Sequence, residues 1–143
     1  MNIIQKELGF TLVEILIMLA IIGVLAGIAY PAYTQYVLKT KRSEAQTALV
    51  NLANKQEIFY LNNRKYAQNF KTELGESTNP FITENGYYSI TTNSVKLTTD
   101  FNLVATAISS QVNDEQCAAL SINHELAKSA STKSGDVATD CWK

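Results

Sequence analysis

The chain has 143 residues, a formal net charge of −1, 46% hydrophobic residues and 17% charged ones. Residues 32–143 are enough to bury one ordinary small core, and no second domain fits. Beyond residue 61 there are seven basic side chains against nine acidic ones, so global charge gives no support for nucleic-acid binding. The one histidine, His124, falls in an expected turn with no recognisable nucleophile or metal partner, which argues against an enzyme.

Residues 1–9 form a short leader whose single basic side chain, Lys6, is balanced by Glu7. The next 21 residues, 10–30, are an apolar run with one formal charge, Glu14. As a helix this run reaches about 30 Å, the thickness of a bilayer's hydrocarbon core. An ionised carboxylate is costly there without a partner, which makes Glu14 a functional candidate. Leader and run together admit three readings: a secretory signal peptide cut after Ala29, an uncleaved signal anchor, or a segment cut between Gly9 and Phe10 that stays on the mature protein.

Glu14 weighs against the first of these, and the residues that follow weigh more. Tyr33, Tyr36, Val37, Ala45, Ala48, Leu49, Leu52, Ala53, Phe59 and Tyr60 recur at spacings of three and four. One helix therefore continues past Pro31 and leaves the apolar run amphipathic. Its polar face carries Lys39, Lys41, Arg42, Glu44, Lys55 and Glu57, read as a solvated surface. Within the run, Gly23 and Gly27 form a G-x-x-x-G with Pro31 on the same face, a spacing that lets helix backbones approach closely. Pro31 removes a backbone donor, so residues 23–31 are the weakest part of the helix by propensity.

From 62 to 86 the periodicity fades into a loop-like connection that Tyr66, Phe70, Leu74, Phe81 and Ile82 are expected to pin to the core. Strands are expected at 87–92, 101–108, 118–122 and, more weakly, 126–130, with turns at Asn93-Ser94 and Asn123-His124-Glu125. Residues 95–99 read either as an extra short strand or as part of a connection. One long helix followed by an antiparallel sheet of about four strands is an α+β architecture. Asp114, Glu115, Asp136 and Asp140 match no calcium-ligand spacing and read as solvated loop residues. Cys117 and Cys141 fit neither a zinc site nor a C-x-x-C; behind a membrane-insertion segment they read as one disulfide in an oxidising compartment. Such a bond ties down the Ser/Thr-rich tail at 129–139 and contributes roughly 3 kcal/mol on the chain-entropy estimate.

Leu8-Gly9-Phe10-Thr11-Leu12-Val13-Glu14 resembles the processing and N-methylation motif of type IV prepilins, and Gly23, Gly27, Tyr30, Pro31, Tyr33 and Tyr36 continue as pilin helices do. The resemblance implies the pilin fold, with a 1–9 leader, a transmembrane and filament-core helix at 10–30, and a periplasmic head at 31–143. It implies cleavage after Gly9, methylation of the new amine on Phe10, and pairing of the Glu14 carboxylate with the N-terminal amine of a neighbouring subunit. Gly23, Gly27 and Pro31 join Glu14 as assembly residues. Implied partners are other pilin subunits, the prepilin peptidase, the inner-membrane assembly platform and the inner membrane; no cofactor or metal is implied. The subunit waits in the inner membrane with its head in the periplasm and moves to a cell-surface pilus. The basic residues Lys39, Lys41 and Arg42 after the run favour the opposite orientation on the positive-inside rule, and the motif and cysteine pair outweigh them.

The distal half resembles minor pilins of twitching and transformation machinery, the group that includes a DNA-uptake receptor, through Tyr30-Pro31-Ala32-Tyr33, Gly86-Tyr87-Tyr88, the Cys117 strand and Asp140-Cys141-Trp142. A structural, minor pilus subunit is the first expectation. The alternatives are a DNA-binding receptor, with Lys128, Lys133, Trp142 and Lys143 as candidate contacts, and a type II secretion pseudopilin.

Overall fold

The computed structural model describes residues 9–93 and 96–142. Leader residues 1–8, Ser94 of the expected turn, Val95 and Lys143 lie outside the described residues. Helix α1 (Leu12–Asn63) is 52 residues long and includes Pro31. The chain divides into two compact units between Val37 and Leu38.

From Leu12 onward the first unit is helix. Its large apolar side chains are 46% exposed at Ile15 and Met18, rising to 76% at Leu12. Tyr33 and Tyr36, expected on the buried stripe, are 67% and 68% exposed, because their unit supplies nothing to cover them.

In the second unit α1 buries a narrow face made by Arg42, Ala45, Leu49, Leu52, Ala53 and Gln56, spaced by three and four apart from the adjacent pair. This face packs on an antiparallel sheet of five strands in sequential order: β1 (Phe81–Ile82), β2 (Tyr88–Thr92), β3 (Asn102–Ala107), β4 (Ala119–Asn123) and β5 (Lys128–Ser131). Alternation decides what each strand contributes. Tyr88, Ile90, Leu103, Ala105, Leu120, Ile122 and Ala130 point to the core, and their neighbours point out.

The four expected strands are present, and β1 is a fifth, two residues long, inside the stretch read as a loop. It arises from pairing with β2, Phe81 opposite Ile90 and Ile82 opposite Ser89, which a two-residue sequence window cannot signal. That register turns Ile82 outward, 37% exposed, so of the five expected pins it is the one that does not hold the connection down. Residues 97–99 form a turn, which makes the described part of 95–99 a connection.

The connection after α1 is anchored by Tyr66, whose ring stacks on Tyr60 at 4.6 Å and meets Phe101 edge-on at 4.9 Å. A single helical turn α2 (Phe70–Glu73) follows, capped by Asn69, whose side chain accepts from the N–H groups of Lys71 and Thr72 at 3.1 Å. Gln56 is wholly buried and satisfied: it donates to Ala67 O at 2.8 Å and accepts from Ala67 N at 2.7 Å.

The turn between β1 and β2 is clipped to α1 by Glu44, which accepts from the Asn85 backbone at 3.0 Å and from its amide at 2.8 Å. Gly86, at φ +69°, completes that turn in the left-handed region. Partial burial pushes the Glu44 carboxyl up, but hydrogen bonds from Thr83 and Asn85 outweigh it and hold the group below its ordinary value.

Candidate assembly and binding sites

The Gly9-Phe10 bond is exposed, as is Phe10 itself at 74%. Two residues on, Thr11 and Glu14 form a capping box at the start of α1. Glu14 accepts from the Thr11 N–H and hydroxyl, both at 2.8 Å, and donates its own N–H to Thr11 Oγ1 at 3.2 Å. Sequence reasoning treated Glu14 as a charge without a local partner and missed Thr11. The Thr-x-x-Glu spacing ahead of an apolar run was the signal that could have found it. The helix start therefore holds the carboxylate in place at residue 14 before any second chain is considered.

Gly23 and Gly27 have a different relation to their surroundings. A Cβ built at either would meet nothing within 4 Å, so no contact among the described residues requires glycine there. Pro31 is exposed too.

In the head the sequence expectation fails at two charges. Arg42 and Asp114, both read as solvated, are 7% and 2% exposed and form a two-pronged ion pair, Nε to Oδ2 and Nη2 to Oδ1 at 2.7 Å. Asp114 also accepts from Gln111 Nε2 at 3.0 Å and from the Cys117 N–H at 3.2 Å, and Gln111 reaches back to Leu38 O at 3.2 Å. The reason is distance along the chain: the partners are 72 residues apart, and neither helix periodicity nor loop composition reveals that they meet. Burial above all, with the Asp114 charge adding to it, pushes the nearby Tyr88 phenol up to about 12.

This polar knot lies beside the staple. Cys117 and Cys141 form a disulfide with Cα atoms 5.8 Å apart, closing 24 residues of tail and edge strand. The tail is also held by Ser131 bridging Val137 and by Ala138 N donating to Ala130 O at 2.9 Å, which covers part of the β5 edge.

The candidate DNA contacts have different local partners among the described residues. Lys133 pairs with Glu115 at 3.7 Å, and Lys143 is outside the described residues. Lys128 and Trp142 are brought together, with Nζ 5.2 Å from the indole centroid. The outward face of the sheet is uncharged: one row reads Ser89, Thr106, Ala119, Ser131 and the next Thr91, Val104, Ser121, Ser129. It offers no cation to a phosphate. Among the described residues no three His, Cys, Asp or Glu side chains gather to hold a metal. Asp114 is committed to Arg42, and Asp136 accepts from Ser134.

Two family models match this chain. The prokaryotic N-terminal methylation motif covers residues 4–30, and the family described as type IV minor pilin ComP, DNA uptake sequence receptor, covers residues 31–121. Among curated proteins, a type IV major pilin protein PilE1 of Neisseria gonorrhoeae is 37% identical over 117 residues, 80% of this chain and 65% of that protein. A fimbrial protein of Neisseria meningitidis serogroup A is 34% identical over 115 residues, 80% and 62% of the two. The chain thus spans less than two thirds of the length of the curated relatives it matches. In fold it is similar to a type IV pilin from Shewanella oneidensis, with a TM-score of 0.51 at 24% identity, covering 74% of this chain and 98% of that one. The non-core minor pilin PilV of Neisseria meningitidis gives a TM-score of 0.53 at 22% identity, covering 73% and 96%. The long helix, the stapled antiparallel sheet, the methylation motif and the match over 31–121 lead to one conclusion: the chain belongs to the ComP family of type IV minor pilins.

Proposed function

We propose that this subunit is cut between Gly9 and Phe10 by a prepilin peptidase and methylated on Phe10. Residues 10–30 then hold it in the inner membrane with residues 31–143 in the periplasm, and the assembly platform polymerises it with other pilins. One observation carries this reading: from Leu12 to Tyr33 α1 is apolar apart from Glu14, and its side chains are exposed. Lipid before assembly and neighbouring helices after it are the two surroundings that suit such a surface. Gly23 and Gly27 support the second, since they leave room that none of the described residues occupies. Glu14 is poised at the first turn, where its carboxylate exchanges the Thr11 hydrogen bonds for the new amine of a neighbour, two charges that tolerate an apolar core only as a pair. Mass spectrometry of the mature chain is the test. A mature start at Phe10 with a methylated amine is expected; a start at Met1 or at Tyr30 would remove the proposal.

A second reading, a DNA-uptake receptor, is favoured by the description of the family matched over 31–121. The head itself supplies one candidate contact pair, Lys128 with Trp142, where duplex binding normally draws on several cations. Titration of the full-length chain in detergent with duplex DNA at two salt concentrations decides it. Salt-sensitive binding supports a receptor, and none leaves the structural reading alone.

A further inference from the structure

We propose that the groove between α1 and β5 binds an acidic sugar residue. The groove, about 280 Å³, is lined by Gln46, Thr47, Val50 and Asn51 of α1 and by Lys128 and Trp142. That volume is near the lower limit of small-molecule sites and suits one sugar unit with water. The inference goes beyond the pilin reading and does not depend on it.

The indole is held rather than merely present. Its Nε1–H donates to Ser129 O at 2.7 Å, the preceding Cys141 is bonded to Cys117, and Gln46 Nε2 donates to Cys141 O at 2.8 Å. With its only polar atom used, Trp142 offers a ligand its ring surface and nothing else. A partly exposed aromatic fixed by three links is pre-organised for stacking, since little side-chain freedom is left to lose on binding.

The rest of the lining has the chemistry of a pyranose edge. The apolar C–H face of a sugar ring packs on the indole and on Val50, which is 39% exposed. Gln46 keeps its Oε1 as an acceptor, Asn51 is exposed on the same side of α1, and the Thr47 hydroxyl, donating to Ser43 O at 2.9 Å, retains acceptor capacity. Lys128 is the one charge among the described lining residues, and none of the ion pairs among the described residues involves it.

One cation among neutral hydrogen-bonding groups and an apolar platform selects a ligand of the same composition: a single carboxylate on a ring rich in hydroxyls. A nucleic-acid strand places a phosphate at every nucleotide and draws on several cations at once. Among the described residues the lining carries one, and Lys133 lies 3.7 Å from Glu115.

The chain has one tryptophan, so its fluorescence reports on this groove and on no other place. The experiment follows Trp142 emission of the full-length chain, in a detergent without a sugar headgroup, during titration with N-acetylneuraminic acid, galacturonic acid, galactose, a glutamate-rich peptide and a thymidine oligonucleotide. The expected result is a saturable response to both acidic sugars, with galactose about tenfold weaker and Lys128→Gln about tenfold weaker for the acidic sugars, the loss of one charge-assisted hydrogen bond. Asn51→Ala, at an exposed position, weakens them too and serves where the lysine variant loses structure. No saturable response to the acidic sugars overturns the proposal. So does equal affinity for galactose, an unchanged Lys128→Gln titration, or tighter binding of the peptide or the oligonucleotide. None of these outcomes touches the mature start at Phe10, which tests the pilin reading separately.

Discussion

The two halves of α1 are one continuous helix with opposite relations to their surroundings. From Leu12 to Tyr33 the helix is apolar apart from Glu14 and exposed throughout; from Leu38 it is polar on most sides and buries a single narrow face. The first half has more apolar surface and makes no core; the second has less and makes all of it. Apolar content therefore did not decide which half stabilises the head. What decided it was a stripe of matched width facing a sheet with alternating side chains. The surface left uncovered is the one available for use between chains.

This contrast predicts where substitutions are felt in unfolding of the full-length chain in detergent. The largest loss is expected in the second half, at Arg42→Ala or Asp114→Ala. Either strands a buried charge and removes about 3–5 kcal/mol of head stability, read from the denaturant midpoint. A loss below about 1 kcal/mol would mean the pair is not buried in solution.

Next comes the staple: replacing Cys117 and Cys141 together by serine is expected to lower stability by roughly 3 kcal/mol. An unchanged midpoint would show that the β5 pairing and the Trp142 bond suffice to hold the tail.

A smaller effect is expected from alkali. Tyr88 is raised to about 12 in the folded chain, against about 10 when unfolded, so its contribution is complete below pH 10. It is lost as pH climbs toward 12, because only the unfolded chain releases that proton early. The loss is roughly 2–3 kcal/mol, and Tyr88→Phe should flatten the profile over that range. A wild-type profile that Tyr88→Phe does not alter would remove the assignment.

The smallest effect on the head is expected from the first half. Glu14→Ala and Gly23→Leu should leave head unfolding within about 0.5 kcal/mol of the wild type, since both residues belong to the other compact unit. Incorporation into filaments, counted by proteomics of sheared pili, should nevertheless fall for both. Normal incorporation of Glu14→Ala would contradict the assembly role, and a large shift in head stability would break the division between the halves.

Much of the fold was readable in the sequence because it is written locally. The apolar run, the helix past Pro31, four strands and the cysteine pair each follow from spacing, composition or alternation within a short window. The candidate sites were readable less evenly. The leader motif carried Gly9, Phe10 and Glu14, but the Thr11 cap was overlooked although its spacing was in plain view. Of the grouped residues Lys128, Lys133 and Trp142, register sends Lys128 to the core-side face of β5, over Trp142, and Lys133 lies 3.7 Å from Glu115, placements that local sequence does not signal.

By itself, then, the sequence determined a membrane-length helix with a processing motif, its continuation into an amphipathic half, and a stapled antiparallel sheet. Periodicity and composition are properties of neighbouring residues and need no third dimension. Only the tertiary structure decided that Arg42 and Asp114 are buried together, that two residues make β1, and that Trp142 is fixed beside Lys128. Those outcomes depend on which distant segments exclude water from one another, and whether a charge is solvated or enclosed is set by that exclusion and not by the residues on either side of it.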